Sequence, residues 1–263
     1  MNAPVSTAVV LREDVEGVAH LTMNRPQARN ALSVGLMTAL EQAFSDVADD
    51  PAIRVVVIGG AGPAFCAGHD LREMRTRPEQ EEYAALFTQC SRLMLQIIAL
   101  KKPVIARVHG VATAAGCQLV ASCDLAVAAD TARFATPGVN IGLFCSTPMV
   151  ALTRAVPRKA AMEMLLTGEL ISAVRARELG LVNRVVPEAE LDAAVAALAG
   201  QIAAKSSFTV AIGKEAFYRQ AEMDLAAAYA FTAQVMTRNM MANDAAEGID
   251  AFLAKRPPVW SGS

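Results

Sequence analysis

The chain has 263 residues, and its 24 Lys and Arg residues nearly balance 26 Asp and Glu residues, giving a formal net charge of −2. Because both signs of charge are scattered along the chain, electrostatics give no reason to expect nucleic-acid binding. The composition is 54% hydrophobic, yet no run reaches the roughly 18–20 uncharged apolar residues that a membrane span needs. Residues 1–10 carry no signal-peptide or transit-peptide pattern, so we expect a cytoplasmic protein without a membrane span.

Strand-like and helical patterns alternate through the first 186 residues. Ser33 is a plausible N-cap for the first helix. Apolar runs predict strands at residues 7–15, 17–23, 53–58, 103–108, 125–129, 133–135 and 182–186. Apolar side chains at helical spacing predict helices at residues 33–48, 78–100 and 113–122. This order predicts an α/β protein in which successive ββα turns stack on one another to bury their apolar faces.

The pattern changes after Pro187. Residues 188–205 and 208–253 read as helices with Ala, Met and Phe stripes and few breakers. Such apolar helices need a surface to pack against, which is either the rest of the chain or another subunit. We therefore divide the chain into a core, residues 1–186, and a helical C-terminal region for packing and assembly, residues 187–263.

The five cysteines and three histidines form no recognisable metal or disulfide pattern. No CxxC pair and no HExxH sequence is present, so we expect small, buried, reduced cysteines and no bound metal. A dinucleotide fingerprint after the strand at residues 53–58 is also disfavoured. Its third glycine would fall at Phe65, and Pro63 interrupts the turn that should open directly into a helix.

Two Gly- and Ala-rich segments each follow an apolar strand-like run. They are GAGPAFCAGHDLREM at residues 60–74 and HGVATAAGCQ at residues 109–118. Together they resemble the enoyl-CoA hydratase/isomerase (crotonase) family, from about Val9 to Trp260. Residues 113–124 and 134–148 look like one branch of it in particular. The resemblance implies a crotonase-type right-handed spiral, a C-terminal region that assembles homotrimers or dimers of trimers, and a CoA thioester as substrate or ligand with no further cofactor.

The resemblance implies an oxyanion hole made of two backbone N–H groups, those of His69 and Ala115. The chemistry suits these positions. Ala115 would begin a helix, whose first N–H groups lack intrahelical partners and whose dipole favours negative charge. Two such donors on a thioester oxygen would stabilise an enolate by about 3 kcal/mol each. The alternative is that both segments are merely tight turns.

The two glutamates on which the family's hydratases rely are missing. By motif their positions are Gln118 and Gly138. Neither a glutamine nor a glycine exchanges a proton at neutral pH, and losing a general acid or base typically costs roughly 10²–10⁴ in rate. We therefore expect ordinary hydratase activity to be weak or absent.

The resemblance also implies residues that contact the CoA moiety. Arg29 stands where family members often present a cation to the phosphates, and further candidates are Arg72 and, from a neighbouring subunit, Lys255 or Arg256. Each of these is equally compatible with a solvated surface charge. The adenine end would meet Ala67, His69, Asp70 and Leu71, mainly through the backbone.

Residues 140–147 hold the remaining polar candidates. Asn140 is a possible ligand contact, and Cys145 and Ser146 are possible nucleophiles, although no partner base is evident. The simpler reading of Ser146 is a helix N-cap, with Pro148 in the first turn. The functional alternatives are thus an enoyl-CoA hydratase-like protein of lyase ancestry in fatty-acid metabolism, a different acyl-CoA reaction using this loop, or a non-catalytic CoA-thioester binder or assembly subunit.

Overall fold

The computed structural model describes residues 8–263, so the first residue of the strand predicted at 7–15 lies outside the described part. The β-strands are β1 (Val10–Val15), β2 (Val18–Met23), β3 (Val55–Gly60), β4 (Val104–Val108), β5 (Val111–Thr113), β6 (Leu125–Ala129), β7 (Arg133–Ala135), β8 (Ile171–Ser172) and β9 (Arg184–Val186). The predictions for β6 and β7 match these bounds, whereas the short strands β5 and β8 were not predicted.

The helices are α1 (Val34–Asp49), α2 (Leu71–Thr76), α3 (Gln80–Ala99), α4 (Ala115–Ser122), α5 (Ser146–Ala155), α6 (Arg158–Thr167), α7 (Ala173–Glu178), α8 (Leu191–Ala203), α9 (Ser207–Gln220), α10 (Leu225–Met240) and α11 (Asn243–Leu253). Ser33 caps α1 as predicted, because its hydroxyl accepts a hydrogen bond from the N–H of Leu36 at 3.1 Å. The stretch 208–253 is broken into three helices. One break is set by Asp224, whose carboxylate caps α10 at the N–H of Ala227.

The strands form two sheets. The larger sheet has the order β1-β2-β3-β4-β6-β9, in which β1 and β2 are an antiparallel hairpin and the remaining neighbours are parallel. The smaller sheet has the order β5-β7-β8, with β5 and β7 parallel. Parallel neighbours put their carboxyl ends at one edge, so the segments that follow β3 and β4 meet there. The predicted α/β spiral is confirmed.

The core has two parts on opposite faces of the larger sheet. One packs the apolar faces of α1, α3 and α4 against it, and Phe44, Leu93 and Leu119 are fully buried there. The other lies under α8, where Val195 packs with Val57 and Ile105. Helix α8 is thus the part of residues 187–263 that joins the core of the sheet. The division at residues 186 and 187 stays a prediction.

Helix α9 is attached to the core through a buried ion pair. Lys214 on α9 donates to a carboxylate oxygen of Asp124 at 2.7 Å and to the carbonyl oxygen of Ile97 at 2.9 Å. Tyr218 donates to the second oxygen of Asp124 at 2.9 Å. Burial lowers the pKa of Lys214 and raises that of Tyr218. A satisfied pair of this kind fixes how α9 is placed on the core, because removing either partner would leave a buried charge. Large apolar side chains remain exposed on α10 and α11, and assembly through them stays a prediction.

All five cysteines are buried and free, as predicted. Burial raises the pKa of Cys66, Cys90 and Cys117 to about 12. Within residues 8–263 no three His, Cys, Asp or Glu side chains are grouped closely enough to hold a metal ion. In the same part of the chain no single helix is long and apolar enough to cross a membrane. One pair of helices, Glu188–Ala203 and Ser207–Gln220, is long and apolar enough when the two are taken together, but it is bent by 102°.

Candidate functional site

The two Gly- and Ala-rich segments meet at the carboxyl edge of the larger sheet. The N–H of Leu32 donates to the carbonyl of Gly68 at 2.7 Å, and the N–H of Asp70 donates to the carbonyl of Leu32 at 3.1 Å. This parallel bridge turns the N–H of His69, the residue in between, away from Leu32. Within residues 8–263 that N–H donates no hydrogen bond. The structure therefore leaves the first predicted oxyanion-hole donor free.

The second predicted donor begins α4. Ala115 is fully buried and is the first residue of that helix, so its N–H has no intrahelical partner. The residue before it, Ala114, has φ 50° and ψ −118°. Residues other than glycine rarely adopt this backbone conformation, which costs on the order of 1–3 kcal/mol. It is held there by a 2.9 Å hydrogen bond from its N–H to the carbonyl of Ala135.

The two donor segments touch each other. A methyl group placed on Gly68, which has φ +97°, would lie 2.9 Å from the Cβ of Ala114 and 3.5 Å from the backbone nitrogen of Ala115. A methyl group on Gly116 would overlap the carbonyl oxygen of Cys66. Glycine is required at both places for the segments to approach so closely. His69 and Ala115 are thereby brought to one place.

Helix α3 forms one wall beside these donors. The side-chain oxygen of Gln118, which is 4% exposed, lies 3.9 Å from the sulfur of Cys90. The imidazole of His69 packs edge-on against Phe87, with ring centroids 5.6 Å apart. Phe87 and Cys90 are three residues apart and share a face of α3. The side chains of His69 and Gln118 thus lie along the same wall.

The residue His69 is half-buried, and its two ring nitrogens are shielded from solvent and have no hydrogen-bond partner within residues 8–263. Burial lowers its pKa, and the nearby backbone of Leu32 opposes this shift in part. The ring is therefore neutral at pH 7. The hydroxyl of Thr136, two residues before Gly138, is likewise buried and unpartnered.

The segment after β7 closes over Gly138. The N–H of Leu143 donates to the carbonyl of Gly138 at 2.9 Å. A Cβ on Gly138 would overlap the carbonyl oxygen of Leu143 and lie 2.9 Å from the sulfur of Cys145. The space that a side chain at position 138 needs is thus filled by the chain itself. A glutamate placed at position 138 would require this segment to move.

Cys145 and Ser146 do not have the environment of nucleophiles. Helix α5 begins at Ser146, so its N-cap is Cys145 and the predicted capping role of Ser146 is wrong. The Ser146 hydroxyl is exposed and bonds to the carbonyl of Phe144 at 3.3 Å. Burial raises the pKa of Cys145, which disfavours the thiolate. Neither residue has a histidine among its hydrogen-bond partners in residues 8–263.

Two of the predicted CoA contacts lie together. The carbonyl of Arg29 accepts a hydrogen bond from the N–H of Ala67 at 3.1 Å, which places the exposed Arg29 beside the first donor segment. Leu71 and Arg72 are exposed on the first turn of α2. Asp70 caps that helix instead of facing a ligand, since its carboxylate accepts the N–H groups of Arg72 and of the residue that follows.

The remaining predicted contacts lie elsewhere. Asn140 is exposed on the 3₁₀ helix Pro137–Ile141, and its amide nitrogen lies 3.1 Å from where a Cβ would be on Gly168. Arg256 is paired with Glu247 at 2.6 Å. Lys255 is exposed, with a positive φ of 55°. The single chain does not bring these three residues to the donor segments.

Sequence reasoning missed the residues that hold the site together. Arg25 bonds to Asp70 at 2.8 Å and to the carbonyl of Ala31. Burial is the largest single influence on Asp70 and opposes its ionisation, but the bond and charge of Arg25 together with the N–H groups of Glu73 and Arg72 outweigh it, so the pKa of Asp70 is lowered. Asn30 is fully buried with φ 53°, and its amide donates to the carbonyls of Ala61 at 2.9 Å and of Ala64 at 2.8 Å. Asparagine adopts positive φ more readily than most other residues with a side chain. The asparagine in the Arg-Asn-Ala sequence was therefore the one local signal of this turn.

A dinucleotide-binding turn is excluded by the chain's path, because ten residues separate the end of β3 from Leu71, where the next helix begins. Two surface clefts, of about 490 and 540 Å³, are not lined by any predicted site residue. The features that remain are a stacked α/β spiral and, at its edge, two adjoining segments that each carry a backbone N–H without a partner within residues 8–263.

These features define a protein of the crotonase class. The sequence model of the enoyl-CoA hydratase/isomerase family matches residues 13–263, and the chain belongs to this family. It is 49% identical over 247 residues to the Homo sapiens enoyl-CoA hydratase domain-containing protein 3, mitochondrial, covering 94% of this chain and 82% of that protein. The Xenopus laevis protein of the same name is 48% identical, with 98% of this chain and 87% of that protein covered. This is the branch indicated by residues 113–124 and 134–148, so that prediction is confirmed.

The fold agrees with a solved structure of an enoyl-CoA hydratase from Mycobacterium smegmatis, with a TM-score of 0.95, 56% identity, and coverage of 96% of this chain and 99% of that one. The predicted cytoplasmic location is wrong, because the human and Xenopus relatives are named as mitochondrial proteins. The prediction depended on residues 1–10 alone. Cellular address is read from targeting segments rather than from the packed fold, so neither composition nor fold specifies it.

Proposed function

We propose that this chain binds an acyl-CoA thioester, with the thioester oxygen between the N–H groups of His69 and Ala115. The observation that carries the proposal is the close approach of Gly68 to Ala114 and Ala115, which puts two unpaired donors side by side. Preorganised backbone donors stabilise negative charge on a carbonyl oxygen better than water does, because they need no reorganisation. Arg29, exposed beside Ala67, is the proposed partner of the CoA phosphates.

The proposed chemistry is hydratase-like with weak or absent hydration of enoyl-CoA. Hydration needs one group to activate water and one to handle the proton at the α-carbon. At the two positions of the family's glutamates this chain has Gln118, which is buried against Cys90, and Gly138, which is covered by Leu143. Neither can carry a proton. The proposed site thus has the two N–H groups that polarise the thioester but lacks the two acidic side chains that would transfer protons.

The broader role follows from ancestry. We propose a protein of lyase descent in fatty-acid metabolism that assembles into homotrimers or dimers of trimers through its C-terminal helices, whose exposed side chains include Tyr229, Met236 and Phe252. The alternative of a different reaction at residues 140–147 has less support, because the Cys145 thiol has a raised pKa and the Ser146 hydroxyl has no base beside it.

Thermal unfolding with CoA esters tests the proposal. A ligand that binds only the native state raises the melting temperature, by a stabilisation of about 2.7 kcal/mol at a hundredfold excess over its dissociation constant. We expect butanoyl-CoA to raise the melting temperature. We expect Arg29→Ala to reduce this shift, because its affinity for butanoyl-CoA should be about tenfold lower. Arg177→Ala removes the same charge from another exposed site and should leave binding unchanged. No shift with any CoA ester would refute the proposal.

A further inference from the structure

A cleft of about 490 Å³ lies at the end of the larger sheet opposite the donor segments. It is formed by the end of α1, the turn before β4, the junction of α8 with α9, and part of α10. These segments lie at the amino ends of β3 and β4, whereas the donor segments follow the carboxyl ends of the same strands. Pockets for small molecules have volumes of roughly 300–1,000 Å³. The cleft is thus large enough for a ligand and separate from the site described above.

Positive side chains predominate in this cleft, although the whole chain has a formal net charge of −2. Five cations and two carboxylates line it, namely Arg54, Lys101, Lys102, Lys205 and Arg238 with Asp49 and Glu215. In the described part of the chain none of these cations forms an ion pair with a carboxylate. Glu215 is already paired with Arg219 at 3.0 Å. The cleft therefore holds positive charge that the chain itself does not neutralise, and a cleft of one sign attracts ligands of the other.

Two of the cations are held in place by backbone carbonyls. The ammonium of Lys102 donates to the carbonyls of Val47 and Asp50, and the carboxylate of Asp50 is itself paired with Arg12. The guanidinium of Arg54 donates to the last carbonyl of α8 at 3.0 Å. Both Lys102 and Arg54 are half-buried, and burial lowers the pKa of Lys102. A carbonyl satisfies a hydrogen bond but leaves the charge uncompensated, so an anion would meet cations that are already fixed in position.

The start of α9 adds two further donors and an apolar surface. Ser206 caps this helix by accepting the N–H of Thr209 at 3.1 Å. The N–H groups of Ser207 and Phe208, which both line the cleft, donate no hydrogen bond among residues 8–263. Such free N–H groups at the start of a helix favour an anion. The half-buried ring of Phe208 lies 5.7 Å from the guanidinium carbon of Arg238, so a flat apolar surface adjoins the cations.

We propose that this cleft binds a small organic ligand with two or more phosphate groups. Its phosphates would meet the five cations and the start of α9, and its organic part would lie against Phe208. Phosphate suits the cleft because each group carries up to two negative charges at pH 7 and several acceptor oxygens. An uncharged ligand would leave the fixed charges of Lys102 and Arg54 uncompensated. The proposal does not depend on thioester binding at the donor segments.

Calorimetry with adenine nucleotides tests the proposal on the full chain. ADP supplies two phosphates and a flat ring, and adenosine supplies the ring alone. We expect ADP to bind about tenfold or more tightly than AMP, and adenosine to show no binding. Lys205→Gln combined with Arg238→Gln should weaken ADP binding about tenfold or more. Both residues are exposed, so this variant should keep the melting temperature of the unaltered protein.

A matched control separates a built site from general attraction to positive charge. Lys159→Gln combined with Arg177→Gln removes the same two charges from exposed positions outside the cleft and should leave ADP binding unchanged. Because ADP is also a part of CoA, Arg29→Ala tests the other source of binding and should leave it unchanged too. The proposal is overturned if ADP does not bind at millimolar concentration, if adenosine binds equally well, or if the control weakens binding as much as the cleft variant. Loss of ADP binding in Arg29→Ala alone would also overturn it, since ADP would then occupy the proposed CoA site.

Discussion

The two halves of the candidate site are held in different ways. The donor half, around Gly68 and Gly116, is buried and cross-linked by backbone hydrogen bonds to Leu32 and Cys66. The half after β7 runs through residues 141–144, whose apolar side chains are exposed, with Leu143 at 49%. A carbonyl is polarised by donors that are fixed in advance, whereas a proton is moved by a titratable side chain. Under the proposed function, the fold would meet the first requirement without the second.

Replacing Gly116 with alanine is the strongest way to break the donor half. The added methyl group would overlap the carbonyl oxygen of Cys66, which is held in place because it accepts the N–H of Thr113 in β5 while the N–H of Cys66 donates to Val111. We expect Gly116→Ala to lower the free energy of unfolding by about 3 kcal/mol or more and to abolish CoA-ester binding, as measured by urea unfolding and calorimetry.

The control for this variant is Gly213→Ala in α9, where nothing lies within 4 Å of the added methyl group. Alanine should be neutral there or stabilise the helix by about 0.5–1 kcal/mol. If Gly116→Ala unfolds no more easily than Gly213→Ala, the donor half is not rigidly packed.

The same substitution at Gly138 sharpens the comparison. Its methyl group would meet the carbonyl of Leu143 and the sulfur of Cys145, but Leu143 lies in an exposed segment, which we expect to yield more easily than the buried strand contact at Cys66. We expect Gly138→Ala to cost only about 1 kcal/mol in urea unfolding and to leave the binding of butanoyl-CoA in place. A cost equal to that of Gly116→Ala would show that both halves are equally rigid.

A smaller effect is expected from the His69 ring. Its folded-state pKa is lowered from 6.5 by burial, so the unfolded chain binds more protons below that pH. The contribution of the neutral ring to the free energy of unfolding is fully present above about pH 6.5. It is lost as the pH falls toward the folded-state pKa, by at most about 1.4 kcal/mol per pH unit. His69→Phe should flatten the pH dependence of unfolding between pH 7.5 and 5.5. An unchanged slope in His69→Phe would show that the ring is not buried as a neutral group.

The features that were predictable from the sequence are local ones. Ser33 as a cap and the start of α4 near Ala115 follow from residue types and spacing over a few positions. The break before α10 was missed because Asp224 caps the helix without any glycine or proline to mark it.

The parts of the site that could not be predicted depend on contacts between distant segments. The bond from Arg25 to Asp70 spans 45 residues, and the cover that Leu143 places over Gly138 depends on a loop conformation. The ring nitrogens of His69 and the hydroxyl of Thr136 have no hydrogen-bond partner within residues 8–263. Whether a side chain finds a partner depends on every segment that packs around it, so a local sequence pattern does not predict it.

The most direct test measures binding and turnover of crotonyl-CoA on the same sample. Loss of its ultraviolet enoyl-thioester absorbance gives kcat, and calorimetry with butanoyl-CoA shows that the site is occupied. Since typical enzymes turn over near 10 s⁻¹ and each missing proton-transfer group costs roughly 10²–10⁴, we expect saturable binding with kcat at or below about 10⁻³ s⁻¹. A kcat in the ordinary range of roughly 1–10³ s⁻¹ would contradict the account, because it would require a proton-carrying group that Gln118 and Gly138 do not provide.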